Sequence, residues 1–140
     1  MKTKIGDIFE IKLKNGKVAF AQALVEPEYA FFEVSPLEKN PNALFRIWVH
    51  ESAIKEWVKI GNKKLTPELE AEEPRFKQDP INGKLSIYKG GTETPATIED
   101  ISGLECAAVW EGNHISDRLT DHFEGKENKW LKSLQPKVNG

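Results

Sequence analysis

Phe9, Ile11 and Leu13 alternate with Glu10 and Lys12. Beyond Asn15-Gly16 the alternation resumes, with Val18, Phe20, Gln22 and Leu24 on one face and Ala19, Ala21 and Ala23 on the other. Successive side chains leave a strand on opposite faces, so period-two patterning marks half-buried β-structure. Asn and Gly tolerate positive φ, and the pattern predicts a hairpin closed by a tight type I′ turn. The alanine face predicts close approach of another strand or helix, and hence a sheet that curls.

The pattern continues in short pieces. Tyr29 to Val34 reads as a third strand stopped by Ser35-Pro36, and Lys39-Asn40-Pro41-Asn42 is a turn cluster. Phe45-Arg46-Ile47-Trp48-Val49 is a fourth strand. A short helix capped near Ser52 follows to Trp57, and Trp57-Val58-Lys59-Ile60 returns to the sheet before Gly61-Asn62. From Leu65 to Asp79 the character changes: Glu68, Glu70, Glu72 and Glu73 lie between Pro67 and Pro74 and predict a surface loop or short helix. Phe76 and Leu85-Ser86-Ile87-Tyr88 are further strand pieces, broken by Gly90-Gly91. Thr97 and Asp100 have capping-box spacing. Cys106 to Trp110 reads as a buried strand. Asn113 then caps a helix over 114–123, closed by Gly125, with Ile115, Leu119 and Phe123 on its buried side. Asn128 to Leu134 forms a last short helix or strand. Strands this short, with turn signals between them, predict an α+β fold that is predominantly β. It is a small bent antiparallel sheet or an SH3-like partial barrel with short C-terminal helices.

Composition adds bounds. A chain of 140 residues fits one domain, 1–140, with a hairpin-led β core over 1–64 and the acidic loop, further strands and the 114–123 helix over 65–140. Cys106 is the single cysteine, which excludes a disulfide framework and suits a reducing compartment. Charges at Asp7, Glu10 and Lys12 interrupt any secretory h-region after Met1-Lys2-Thr3-Lys4, and no apolar run is long enough to span a membrane. A cytoplasmic protein follows. The net charge of −2 hides an asymmetry: residues 1–64 carry 11 Lys/Arg against 8 Asp/Glu, and residues 65–140 carry 9 against 14. The second half is the acidic one, and it suggests an acidic contact surface.

Candidate chemistry is sparse. On a helix, His114, Asp117, Arg118 and Asp121 share one face opposite Ile115 and Leu119, a spacing that suits metal binding or acid–base work. Arg118 in that stripe would repel a metal ion, and a solvated face with paired aspartates explains the stripe equally. Cys106 sits in an Ala-rich strand, where a free thiol behaves as a small hydrophobe. His50-Glu51 reads as a polar strand end. Lys89-Gly90-Gly91-Thr92 lacks the glycine pattern and strand-to-helix setting of a phosphate loop. Phe31, Phe32, Trp48 and Tyr88 could stack on nucleic-acid bases, but an acidic chain without a basic stripe favours core packing and argues against nucleic acid. Nothing calls for a catalytic residue, cofactor or metal. The residues describe a binding module rather than an enzyme.

The hairpin residues also resemble the immunity protein 26 family of bacterial polymorphic toxin systems. The resemblance is carried by Gly6-Asp7-Ile8-Phe9, Ile11-Lys12-Leu13, Asn15-Gly16, Ala19-Phe20-Ala21-Gln22-Ala23-Leu24 and Phe31-Phe32-Glu33-Val34. The family often has Pro before the strand Leu where this chain has Lys12. The resemblance covers roughly the first half of the chain and implies a mainly β fold that neutralises a cognate toxin made by the same cell. It transfers no catalytic residue. Many such toxins have basic clefts, against which acidic side chains gain on-rate and specificity. Glu68, Glu70, Glu72 and Glu73 are the first candidates for a toxin interface, and Asp117 and Asp121 the second. The competing readings are a small β-barrel module for nucleic acid or a small ligand, and an enzyme using the His114 to Asp121 face.

Overall fold

The alternating N-terminus folds as β1 (Asp7–Lys12) and β2 (Val18–Ala23), paired antiparallel with Ile8 opposite Gln22 and Lys12 opposite Val18. This computed structural model describes residues 3–136, so Met1 and Lys2 of the leader reading lie outside it. The turn differs from the type I′ expectation. Leu13 N–H donates to the Lys17 carbonyl at 2.9 Å and Gly16 N–H to the Leu13 carbonyl at 3.0 Å, which makes a three-residue loop. Only Gly16, at φ +85°, is left-handed; Asn15 has negative φ and instead accepts the Lys17 N–H on its side-chain oxygen at 3.0 Å. One glycine in that conformation suffices for a three-residue hairpin loop, whereas type I′ needs two residues there.

β2 continues antiparallel into β3 (Glu28–Phe32) and β4 (Phe45–Val49), the latter as the sequence predicts. After α1 (Glu51–Ile54), β5 (Val58–Asn62) returns beside β1, with a bulge between Ile8 and Phe9. The α1 N-cap is His50 rather than Ser52: its Nδ1 accepts the Ser52 N–H at 3.2 Å, a role an imidazole fills as a carboxylate would. Next come α2 (Pro67–Glu70), β6 (Arg75–Gln78), β7 (Leu85–Lys89) and β8 (Thr92–Ala96). β7 and β8 form a hairpin across Gly90-Gly91, a plain turn with no helix behind it.

The expected buried strand at Cys106–Trp110 is two strands in two sheets. β9 (Glu105–Cys106) runs parallel to β6, and β10 (Val109–Trp110) runs parallel to β4. The result is a six-stranded sheet, β10-β4-β3-β2-β1-β5, and a four-stranded sheet, β8-β7-β6-β9. Both are open and mixed, each with one parallel pair, and neither closes into a barrel. The β-rich fold class is as expected; the parallel edges are additional.

α3 spans Gly112–Glu124, with Glu111 rather than Asn113 at the N-cap position and no side-chain cap bond, and ends at Gly125; α4 (Lys129–Ser133) follows Asn128, whose side chain accepts the Leu131 N–H. The faces of β2 are filled as their residue sizes dictate. Ala19, Ala21 and Ala23 let α3 approach, so that Ile115 and Leu119 pack with Phe9, Tyr29, Phe31 and Trp110 in the main core. On the opposite face Leu24, Ala30 and Phe32 form a smaller cluster, covered by Leu65 and by Leu69 of α2.

Candidate functional site

Three polar clusters hold this frame together. The first lies at the start of the hairpin. Asp7 is 1% exposed, and its carboxylate accepts from Asn62 Nδ2 and the Lys4 N–H, both at 2.9 Å, with Lys59 Nζ at 3.2 Å. Burial opposes its charge, but those donors outweigh it and hold the carboxyl below its ordinary value. Gly6 N–H donates to the Ala23 carbonyl at 2.8 Å, and the Gly6 carbonyl accepts from Lys63 N–H at 3.0 Å. Gln22 Nε2 donates to the Lys63 carbonyl at 2.9 Å. Gly6, Asp7 and Gln22 therefore bind β1, β2 and β5 into one unit. Their role is architectural.

The second cluster joins the sheets. Glu28 on β3 accepts from Arg46 on β4 at 3.1 and 3.3 Å, and from Arg75 on β6. Arg75, 2% exposed, also donates to the Arg46 carbonyl and lies over the Trp48 ring, which meets Tyr88 edge-on. Arg46 further donates to the carbonyls of Glu68 at 3.2 Å and Ala71 at 2.9 Å, pinning the acidic segment to the sheet. Glu73 belongs to this cluster, with Oε2 at 3.6 Å from Arg46 Nε and 3.9 Å from Arg75 Nη2. Burial pushes its carboxyl up against the pull of both arginines. Glu68, Glu70 and Glu72 remain exposed.

The third cluster lies on α3. Arg118, expected on a solvated face, is buried: it makes a bidentate pair with Glu105 at 2.9 and 2.7 Å and stacks over Phe45 at 3.7 Å. Its planar cation suits an aromatic wall and a carboxylate together, so the stripe bends inward at this position. Asp117 accepts from Trp130 Nε1 at 2.9 Å and Asp121 from Asn128 Nδ2 at 2.8 Å. His114 stacks on Trp130 at 3.7 Å. These contacts fasten α4 to α3 and give both aspartates partners within the protein, while His114, Asp117 and Asp121 stay partly exposed.

Other candidates resolve simply. Burial pushes the half-buried Cys106 thiol up, with Glu105 adding to the effect, the reverse of what an activated nucleophile needs. Phe31 and Phe32 are core residues, and Trp48 and Tyr88 meet at the joint between sheets. Among the described residues no group of three or more His, Cys, Asp or Glu is arranged to hold a metal ion, and no helix is long and apolar enough to cross a membrane. Glu28, Arg46, Arg75 and Glu105 escaped the sequence reading.

The Gly-Asp clasp and the joint between the sheets together define a β-rich frame of two open sheets with short helices. The chain belongs to the Immunity protein 26 family, whose pattern matches residues 4–86, from the clasp through β6 into β7. The family name denotes proteins that give immunity against toxins. No curated protein and no solved structure matches the chain.

Proposed function

We propose that this protein neutralises a cognate toxin in the cytoplasm by binding it directly, without catalysis. Family membership over residues 4–86 carries the reading. The proposed contact surface is the α2 segment, where Glu68, Glu70 and Glu72 are exposed. Two anchors support that segment from beneath: Leu69 packs on the smaller core, and Arg46 holds the Glu68 and Ala71 carbonyls. Carboxylates on a fixed backbone lose less freedom on binding and steer a basic cleft into register. Glu73, Asp117 and Asp121 have internal partners and contribute by holding the surface in shape.

The test is co-expression with candidate toxin domains encoded by neighbouring genes. Growth rescue and co-purification are expected, and failure of both overturns the proposal. Charge reversal at Glu68, Glu70 and Glu72 together is expected to slow association about tenfold or more at low salt, with a smaller effect at high salt. An unchanged association rate moves the contact surface elsewhere and leaves neutralisation standing.

A further inference from the structure

The larger sheet ends at β5, and among the described residues no strand lies beyond it. An unpaired edge offers a row of backbone donors and acceptors, and proteins ordinarily guard such edges by shortness, proline, charged side chains or a bulge. The other edges here are guarded. β9 and β10 are two residues each, and β8 carries Pro95 with the polar Thr92, Glu93 and Thr94. β5 has five residues and no proline, and it exposes Val58 at 57% and Ile60 at 37%, with Ile5 at 56% beside its end. Its one lysine, Lys59, is drawn inward to Asp7 at 3.2 Å. The bulge in the β1–β5 pairing, where Ile60 stands opposite no residue of β1, is the guard this edge carries; it bends the strand but leaves Val58 and Ile60 exposed.

Charge decides what fits there. With Lys59 matched by Asp7, residues 55–64 still hold Lys55, Lys63 and Lys64 against Glu56, and Lys55 and Lys64 are exposed. Glu10, opposite Val58 on β1, offsets only part of this. A second copy paired along β5 would bring two such basic segments together. We propose that β5 is a docking edge for an extended protein segment of alternating acidic and apolar residues, which adds to the sheet as a further strand. Backbone hydrogen bonds supply the affinity, Val58 and Ile60 receive the apolar side chains, and Lys55 and Lys64 receive the acidic ones. This surface differs from the α2 segment and does not depend on the neutralisation reading.

The test uses the full chain with a capped, dye-labelled peptide of alternating Glu and Val, and its Lys-for-Glu counterpart. Fluorescence anisotropy at low salt should show the acidic peptide binding about tenfold or more tightly than the basic one. It should weaken with salt and lose about tenfold or more against Lys55→Glu/Lys64→Glu. Hydrogen exchange should show new protection within residues 58–62. Equal affinity for both peptides, no binding up to about 1 mM, or protection confined to other strands overturns the proposal. So does a stable dimer whose β5 amides are already protected without peptide, since the edge then belongs to a second copy.

Discussion

Arg75→Met tests whether the Glu28–Arg46–Arg75 cluster is what docks the smaller sheet on the larger. Methionine keeps most of the aliphatic stem beside Trp48 but deletes the guanidinium bonds to Glu28 and to the Arg46 carbonyl. A hydrogen bond involving a charged group contributes about 1.5–3 kcal/mol, and stranding a buried charge costs about 3–5 kcal/mol. Glu28 is not stranded, because Arg46 still donates to it at 3.1 and 3.3 Å. The expected loss is therefore about 2–3 kcal/mol, at the level of the lost bonds rather than of an abandoned carboxylate. Urea unfolding followed by tryptophan fluorescence measures the total. Native-state hydrogen exchange locates it: amides of β6 and β7 should lose more protection than those of β2 and β3, since the cluster joins the sheets rather than building the first. Stability within about 0.5 kcal/mol of the parent would refute the reasoning. Equal loss of protection in both sheets would show that Arg75 supports the core as a whole.

Other outcomes follow from the remaining clusters. Because the Asp7 carboxyl is held below its ordinary value of 3.8, its stabilising effect is complete above that pH and fades as pH falls through the lower folded value. Asp7→Asn should lower stability at neutral pH and flatten this acid limb in urea titrations between about pH 2 and 6; an unchanged limb would assign it to other carboxylates. A Cβ on Gly6, at φ +92°, would stand 2.5 Å from the Lys63 carbonyl oxygen, whereas one on Gly16 meets nothing within 4 Å. Gly16→Ala should cost about 1 kcal/mol from backbone strain alone, and Gly6→Ala clearly more, measured side by side by thermal melting. Trp130→Phe removes the indole bond to Asp117 and should cost about 1 kcal/mol. Exchange in α4 should quicken while the centre of α3 stays protected, and uniform change in both helices would argue against a local clasp.

Elements whose own residues carry the signal were legible in the sequence. The hairpin, β4, β5 and α3 all show periodic apolar faces, and Gly125 ends α3 as anticipated. β8 was missed because Thr-Glu-Thr-Pro-Ala covers no core and needs no alternation. Cys106 to Trp110 looked like one apolar strand, yet its halves pair with β6 and β4, and partner choice is a tertiary property that no local pattern encodes. Arg118 was assigned to the polar face by type. Its burial depends on Phe45 and Glu105 arriving from elsewhere in the chain. The acidic candidates were visible as a charge run, but their division into three exposed glutamates and one embedded in an arginine cluster was not. Arg46 and Arg75 lie 18 and 47 residues from Glu28, beyond the reach of any local spacing rule.

The hand-over from β9 to β10 crosses between sheets within Ala107 and Ala108, and it leads directly into α3. Family signature and folding autonomy therefore part company. The stretch that carries the family pattern ends at residue 86, but the lid over its aromatic core is Trp110, Ile115 and Leu119, all supplied later in the chain. Excised alone, residues 4–86 would present a bare hydrophobic floor to water. Family pattern and structural closure are thus written in different stretches of one polypeptide, free to diverge only as far as the shared core permits.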